Sequence, residues 1–230
     1  MNIVALDEVG RGAISGPVVV AGTFWKQSLQ TPHWVNQIKD SKQLTPRFRE
    51  KLLKDFQNTL SQPISMTFES YPEEKLVASF NLQKNSDGPR AFKATPQDVL
   101  CLALSAQDVD EKGIWNCIQA LAASIISQFH QKYGAFDIWM DGSLPTKIFK
   151  DSQTLPQKTF IKGDLRFKEI GLSSIVAKVL RDSYMTKLDS EWPRFMFSRH
   201  KGYGTAFHRS ILKNEITREH RKTFLTKILP

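Results

Sequence analysis

Apolar positions fall into two patterns along the chain, short β-branched runs and longer stretches recurring every three or four residues, and these separate strands from helices. Residues 3–6 form an apolar run that ends in Asp7, Glu8 and a glycine cluster, which predicts a buried strand opening into a turn. Residues 17–24, 64–71, 136–140 and 159–161 predict further strands, the fourth of these five runs closing on Asp141-Gly142. Thr45-Pro46 reads as an N-cap with proline at the first helical position, opening a helix over 47–56. From Gly113 onward Ile114, Cys117, Ile118, Leu121, Ile125 and Phe129 recur at helical spacing, so this helix buries one face. Residues 173–188 predict a second amphipathic helix, and 207–213 and 217–228 predict basic helices in the tail. The stretch 81–96, rich in Asn, Lys, Ser, Asp, Gly and Pro, predicts a loop or insertion. Strands first, helices interspersed and a helical tail imply an α/β fold with a mixed central sheet flanked by helices. The expected organisation is a body over residues 1–190 with a basic helical extension, 191–230, packed on it.

Composition narrows the class. With 230 residues, 40% of them apolar and 24% charged, the chain can bury a core, which excludes fibres and disordered tails. The longest apolar run, 18–25, is broken by Gly22 and Thr23 and is far shorter than the roughly 20 residues of a spanning helix. No membrane partner is expected, and the start of the chain lacks the order of a secretory signal. Cys101 and Cys117 form no CxxC pair, which fits a reduced, cytoplasmic setting. The net charge is +9, and nine Lys/Arg stand between 194 and 227 against Glu215 and Glu219. Such a balance suits a polyanion, and equally a solvated basic surface.

Four carboxylates attract attention. Asp7 and Glu8 close a buried strand, where two adjacent charges repel and lose solvation unless a cation or a proton is shared. The alternative is that both open a solvated loop. Asp141 repeats the pattern at a strand end, although Asp-Gly is also a common turn. Asp182 falls in the apolar stripe of its helix, with Lys178 one turn earlier, so an ion pair and a metal ligand are equally open. Oxygen donors of this kind suit hard cations such as Mg²⁺ or Mn²⁺, and two such ions can promote phosphodiester hydrolysis. The glycines at 10, 12 and 16 match a loose dinucleotide-loop pattern, but the following proline and valines restart a strand where that motif needs a helix. His200, His208 and His220 lack zinc-ligand spacing. Tyr203, between glycines, could stack on a sugar or base, or belong to the core.

Taken together, DEVGRGAISGP (7–17), DSKQLT (40–45), DEKGI (110–114), DG (141–142), KGD (162–164), SSIVAKVLRD (173–182), HKGYGTAFH (200–208) and HRKTF (220–224) resemble type 2 ribonuclease H, specifically ribonuclease HII. The resemblance runs in order from residue 3 to about 225. It implies a ribonuclease H-like fold with a helical C-terminal extension, and an endonuclease that hydrolyses the RNA strand of RNA–DNA hybrids. It also implies cutting 5′ to single ribonucleotides in duplex DNA, by a two-metal-ion mechanism that leaves 3′-OH and 5′-phosphate, in ribonucleotide removal. By the same resemblance Asp7, Glu8, Asp141 and Asp182 are the catalytic metal-binding carboxylates, with Mn²⁺ or Mg²⁺ as cofactor. Gly10, Arg11 and Gly12 read the ribose 2′-OH through backbone groups, and Tyr203 faces the ribonucleotide. Lys42 and Lys178 stand near phosphate or the acidic cluster. The expected partners are RNA–DNA hybrid and ribonucleotide-containing duplex DNA, with the protein a monomer. Ribonuclease HIII, the cousin with an added N-terminal domain, lacks the GRG form and the tyrosine. Residues 81–98, the stretch from Asp141 to Lys162, and Ser173-Ser174 depart from the family pattern. The reading from another class is a non-catalytic basic nucleic-acid-binding protein.

Overall fold

The computed structural model describes residues 2–70, 83–84, 94–142, 155–212 and 215–227. Its centre is a hairpin of β1 (Asn2–Val9) and β2 (Val18–Gln27), paired antiparallel from Asn2↔Lys26 to Val9↔Val19. β5 (Ala94–Leu104) lies antiparallel to β2, and β6 (Asp137–Asp141) lies parallel to β1. β7 (Gln157–Phe160) continues in parallel beyond β6, while β3 (Thr67–Phe68) and β4 (Gln83–Lys84) form the two edges. The resulting mixed sheet has the order β3-β5-β2-β1-β6-β7-β4.

Side chains of a strand alternate between faces, and here both faces are covered, so β1 and β2 read as nearly continuous apolar runs. Val4 and Leu6 of β1 pack with Leu121, Ile125 and Phe129 of α3 (Ile114–Tyr133) on one face. Ile3 and Ala5 pack with Ile170, Ile175 and Val176 of α5 (Lys168–Glu191) and with Leu52 and Phe56 of α1 (Pro46–Gln57) on the other. Thr45 caps α1, its hydroxyl accepting the Phe48 N–H, with Pro46 inside the first turn. Short helices follow, namely α2 (Ala106–Lys112), α4 (Gly163–Arg166), α6 (Phe197–His200), α7 (Ala206–Leu212) and α8 (Lys222–Leu225). The tail residues Phe195, Phe197, Leu212 and Leu225 pack with Met185 and Leu188 of α5 and with Ile14 in a third apolar cluster. Among the described residues no helix is long and apolar enough to cross a membrane.

Three expectations change. The strand over 64–71 shrinks to the two residues Thr67 and Phe68, which are exposed; Tyr71 lies outside the described residues. The loop or insertion expected over 81–98 gives way at Ala94 to the eleven-residue β5. Apart from Gln83 and Lys84, the rest of it lies outside the described residues. Pro96 is tolerated because the β2–β5 register shifts between Phe24 and Trp25, directly across from it. The helix over 217–228 contracts to α8, because residues just before it pair with the glycine loop through a Ser15↔His220 bridge. Lys213, Ile228 and residues 143–154 are outside the described residues.

Candidate active site at the ends of β1 and β6

The parallel register Leu6↔Met140 sets Asp7 and Asp141 side by side at the carboxyl ends of adjacent strands. Asp7 is buried, with its Oδ1 accepting the Glu8 N–H at 2.8 Å. The Asp141 Oδ1 accepts the Gly163 N–H at 2.6 Å. That approach is close, since a Cβ at 163 would stand 2.7 Å from Ile170 Cδ1 and 3.3 Å from the same carboxylate oxygen, so a larger residue would have to displace the Ile170 side chain. Burial, then Glu8, then Asp141 drive the Asp7 carboxyl well above its ordinary range, against a hydrogen bond from Ser174. Burial raises Glu8 as well, partly offset by Arg11, whose Nη1 donates to Glu8 Oε1 at 3.1 Å.

One flanking turn and helix α5 complete this face. Asp40 Oδ1 accepts the Lys42 N–H at 2.8 Å, an Asx turn that presents the lysine toward buried Asp164, 3.7 Å away. Burial opposes the Lys42 charge, yet Asp164, Asp40, Asp7 and Asp141 together raise its ammonium above the ordinary value. The Ser173-Ser174 pair fixes α5 beneath the cluster. Ser173 Oγ donates to the Ala5 carbonyl at 2.8 Å, and Ser174 Oγ lies 2.9 Å from Ser41 Oγ.

Asp182 is placed differently. Its Oδ1 accepts from Lys178 Nζ at 2.8 Å, both side chains about one-fifth exposed, and Asp182 itself lines a groove with Arg49, Glu50 and Lys201. The structure thus groups Asp7, Glu8 and Asp141 electrostatically and holds Asp182 in an ion pair. Among the described residues no three acidic, His or Cys side chains close into a metal cage. The donor set nevertheless fits a hard cation, because buried Asp7 is destabilised by the neighbouring carboxylates whose charge an ion would neutralise.

The glycine loop lies beside this face and is clamped from below. Gly10 has φ +88°, and a Cβ there would meet Arg181 Nε at 2.5 Å and the Pro17 carbonyl at 2.7 Å. Buried Arg181 donates to the carbonyls of Pro17 (2.9 Å), Ser15 (3.0 Å) and Lys201 (2.8 Å). Buried Arg221 donates to the carbonyls of Gly16, Gly10 and Ala13. Arg11 and Gly12 remain exposed, and nothing stands within 4 Å of where a side chain at 12 would begin. The second loop is locked to the first, the Ile14 and Ser15 N–H groups both donating to the Gly202 carbonyl. The adjacent Tyr203 is half-buried, its ring 5.7 Å from Lys178 Nζ and 5.6 Å from the Arg181 guanidinium.

Sequence reading missed Arg181 and Arg221 as the clamp. Arg181 did carry a signal, standing four and seven residues after Ala177 and Ser174 on the helix's buried stripe. Arg221 carried none, since its partners are brought to it only by the tertiary fold.

The architecture matches the ribonuclease H2 of Pyrococcus horikoshii OT3 with a TM-score of 0.65 at 21% identity, over 99% of this chain and 97% of that one. The Mn²⁺ complex of Bst-RNase HIII aligns with a TM-score of 0.54 at 13% identity, over 93% and 70% of the two chains. These likenesses define a ribonuclease H-like fold. In sequence, the Ribonuclease HII of Caldicellulosiruptor saccharolyticus is 31% identical over 228 residues, which cover 99% of this chain and 88% of that protein. The family described as Ribonuclease HII matches residues 4–228, and the chain belongs to it. The protein is accordingly a hydrolytic endonuclease of the ribonuclease H type, acting on RNA–DNA hybrids.

Proposed function

We propose that this endonuclease cuts 5′ to single ribonucleotides embedded in duplex DNA as well as within longer hybrids, serving ribonucleotide removal in the cytoplasm. The observation that carries the reading is the meeting of Asp7, Glu8 and Asp141 where β1 and β6 end side by side. Asp7, Glu8 and Asp141 would hold Mg²⁺ or Mn²⁺, with Asp182 joining once Lys178 is drawn to the substrate. When bound, a pair of such cations supplies an activated water and neutralises charge on the departing 3′ oxygen. The remaining work belongs to the chain. The Gly163 N–H fixes the Asp141 carboxylate, and Lys42 compensates the cluster's negative charge. The exposed backbone at 11–12 is open to a ribose 2′-OH, while Tyr203 faces the ribonucleotide from the loop locked against it. Two buried cysteines without a disulfide suit a reducing compartment.

The test uses an end-labelled DNA duplex carrying one ribonucleotide, beside an all-DNA duplex, with Mg²⁺, Mn²⁺ or EDTA. One metal-dependent cut 5′ to the ribonucleotide, leaving 3′-OH and lost in Asp141→Asn, is the expected result. Tight binding without cutting under any metal condition would leave a basic binding module instead.

A further inference from the structure

The three tail histidines converge although their sequence spacing suggested nothing. His200, His208 and His220 are all buried, with the His200 and His208 rings stacked at 3.9 Å. Their hydrogen bonds have a defined direction. A backbone N–H can only donate, so the bond from the Thr217 N–H to His220 Nδ1 (3.0 Å) leaves that nitrogen unprotonated. The neutral ring then carries its hydrogen on Nε2, which faces His208 Nε2 at 3.1 Å. His208 therefore accepts at Nε2, carries its own hydrogen on Nδ1, and donates it to the Tyr203 carbonyl at 3.0 Å. Burial lowers His208 to about 3 and His220 to about 4, which keeps both rings neutral at physiological pH.

The other end of this chain of bonds is anchored on the glycine loop. His220 pairs with Ser15 across an antiparallel bridge, the Gly16 N–H donates to the Glu219 carbonyl at 2.7 Å, and the Arg221 N–H donates to the Ile14 carbonyl at 2.9 Å. A buried polar pair is costly unless each group is satisfied, and an apolar cluster of the same volume would hold the tail without it. Here every ring nitrogen of the pair has a partner, and the series ends on the main chain of Tyr203.

We propose that His208 is a positioning residue for substrate selection. With its tautomer set by His220, it holds Tyr203 at a fixed distance from the glycine loop. The inference rests on the reading of Tyr203 as the residue that faces the ribonucleotide, and it adds the device that sets the gap.

The test measures kcat and KM on the single-ribonucleotide duplex for His208→Leu, His208→Asn and His208→Gln, each in the native chain and in Tyr203→Ala, with melting temperatures alongside. Asn places an amide N–H near the position of Nδ1–H, whereas Gln reaches toward His220 and leaves the Tyr203 carbonyl without its donor. Loss of one buried hydrogen bond predicts about a tenfold fall in kcat/KM for Leu and Gln, and Asn should stay within about threefold of the native enzyme. In Tyr203→Ala the three variants should be indistinguishable, because the ring they position is gone. Equal activity of Asn and Gln at similar melting temperatures overturns the proposal, as does a Leu effect of unchanged size in Tyr203→Ala. Should Leu fail to fold, the comparison of Asn with Gln decides alone. If Tyr203→Ala cleaves as the native enzyme does, the reading of Tyr203 itself falls and the proposal falls with it; an impaired Tyr203→Ala with additive His208 effects overturns only the positioning role.

Discussion

Asp7 shows at the scale of one residue how a buried carboxylate among others opposes stability. Its charge is desolvated and faces Glu8 and Asp141, so its carboxyl titrates above the unfolded value. A raised folded value means that its contribution is intact below the ordinary carboxylate range and is lost as pH rises through the shifted one. Without metal the cost of charging this side chain therefore works against the fold above the ordinary carboxylate range. Asp7→Asn removes that charge and should raise the melting temperature in EDTA by about 2–4 °C, corresponding to about 1 kcal/mol, while abolishing cleavage. Added Mn²⁺ should raise the melting temperature of the native chain but not of Asp7→Asn. A variant less stable than the native chain in EDTA would show that Asp7 is held by bonds outweighing its repulsion. The acidic positions were legible in the sequence because a carboxylate at the end of an apolar run is physically costly wherever it lies. The pairing of Asp182 was only half legible: helical spacing offered Lys178, and the 2.8 Å contact realises it.

At the scale of the element, the glycine loop is held by charged side chains reaching from α5 and from the residue before α8. Removing Arg221 would strip donors from the carbonyls of Gly10, Ala13 and Gly16 at once. Arg221→Met should cost about 3–5 kcal/mol in urea unfolding and raise KM more than it lowers kcat, since the chemistry of the carboxylates is left in place. An unchanged KM would show that the loop holds its shape without the clamp. Arg181 was legible only as a residue of a buried stripe, and Arg221 not at all, because their glycine-loop partners stand 164 to 211 residues away in sequence. By contrast strands β1 and β2, α1 with its Thr45 cap, and α3 and most of α5 were legible from local pattern, although the pairing of the two strands was not. β5 was missed because Pro96 and Asp98 read as loop chemistry, and only the register shift in β2 makes room for the proline. The tail helix was overestimated because Glu219, His220 and Arg221 bond across to the first loop instead of along a helix.

Across the whole molecule two long-range effects follow from where charge is spent. The buried histidines stay neutral in the fold yet charge when unfolded near their ordinary value of 6.5, so stability is complete above that pH and falls as pH drops toward about 4 and about 3. The groups around them do not reverse this sign: burial lowers His200 and outweighs the Phe195 carbonyl and Asp189, which favour its charge, while Arg199 and Lys201 also oppose that charge. Urea unfolding between pH 7 and 4 should therefore show a slope that flattens in His208→Leu. Charge also sets the response to salt. Of the nine cations counted between 194 and 227, Arg221 is buried, Arg194 pairs with Glu215, Arg218 with Glu191 and Glu219, and Lys201 bonds Thr186. Lys213 lies outside the described residues, so Arg199, Arg209, Lys222 and Lys227 are the exposed tail cations without such a partner among those described. Arg199 also stacks on Phe207 at 4.9 Å, leaving its charge at the surface. If each neutralises one phosphate, these four contribute about −3 to −4 to the slope of the logarithm of the binding constant against the logarithm of salt, well short of the roughly −8 that nine free cations imply, and Arg11, Lys42 and Lys178 at the candidate site add to it. Binding of Asp141→Asn to a labelled hybrid between about 50 and 200 mM salt, on either side of the 0.1 M at which the Debye length is about 10 Å, measures this directly. Substituting Arg209 and Lys222 with Gln should flatten the slope by about 2, whereas substituting Arg194 and Arg218, already paired with carboxylates, should barely change it.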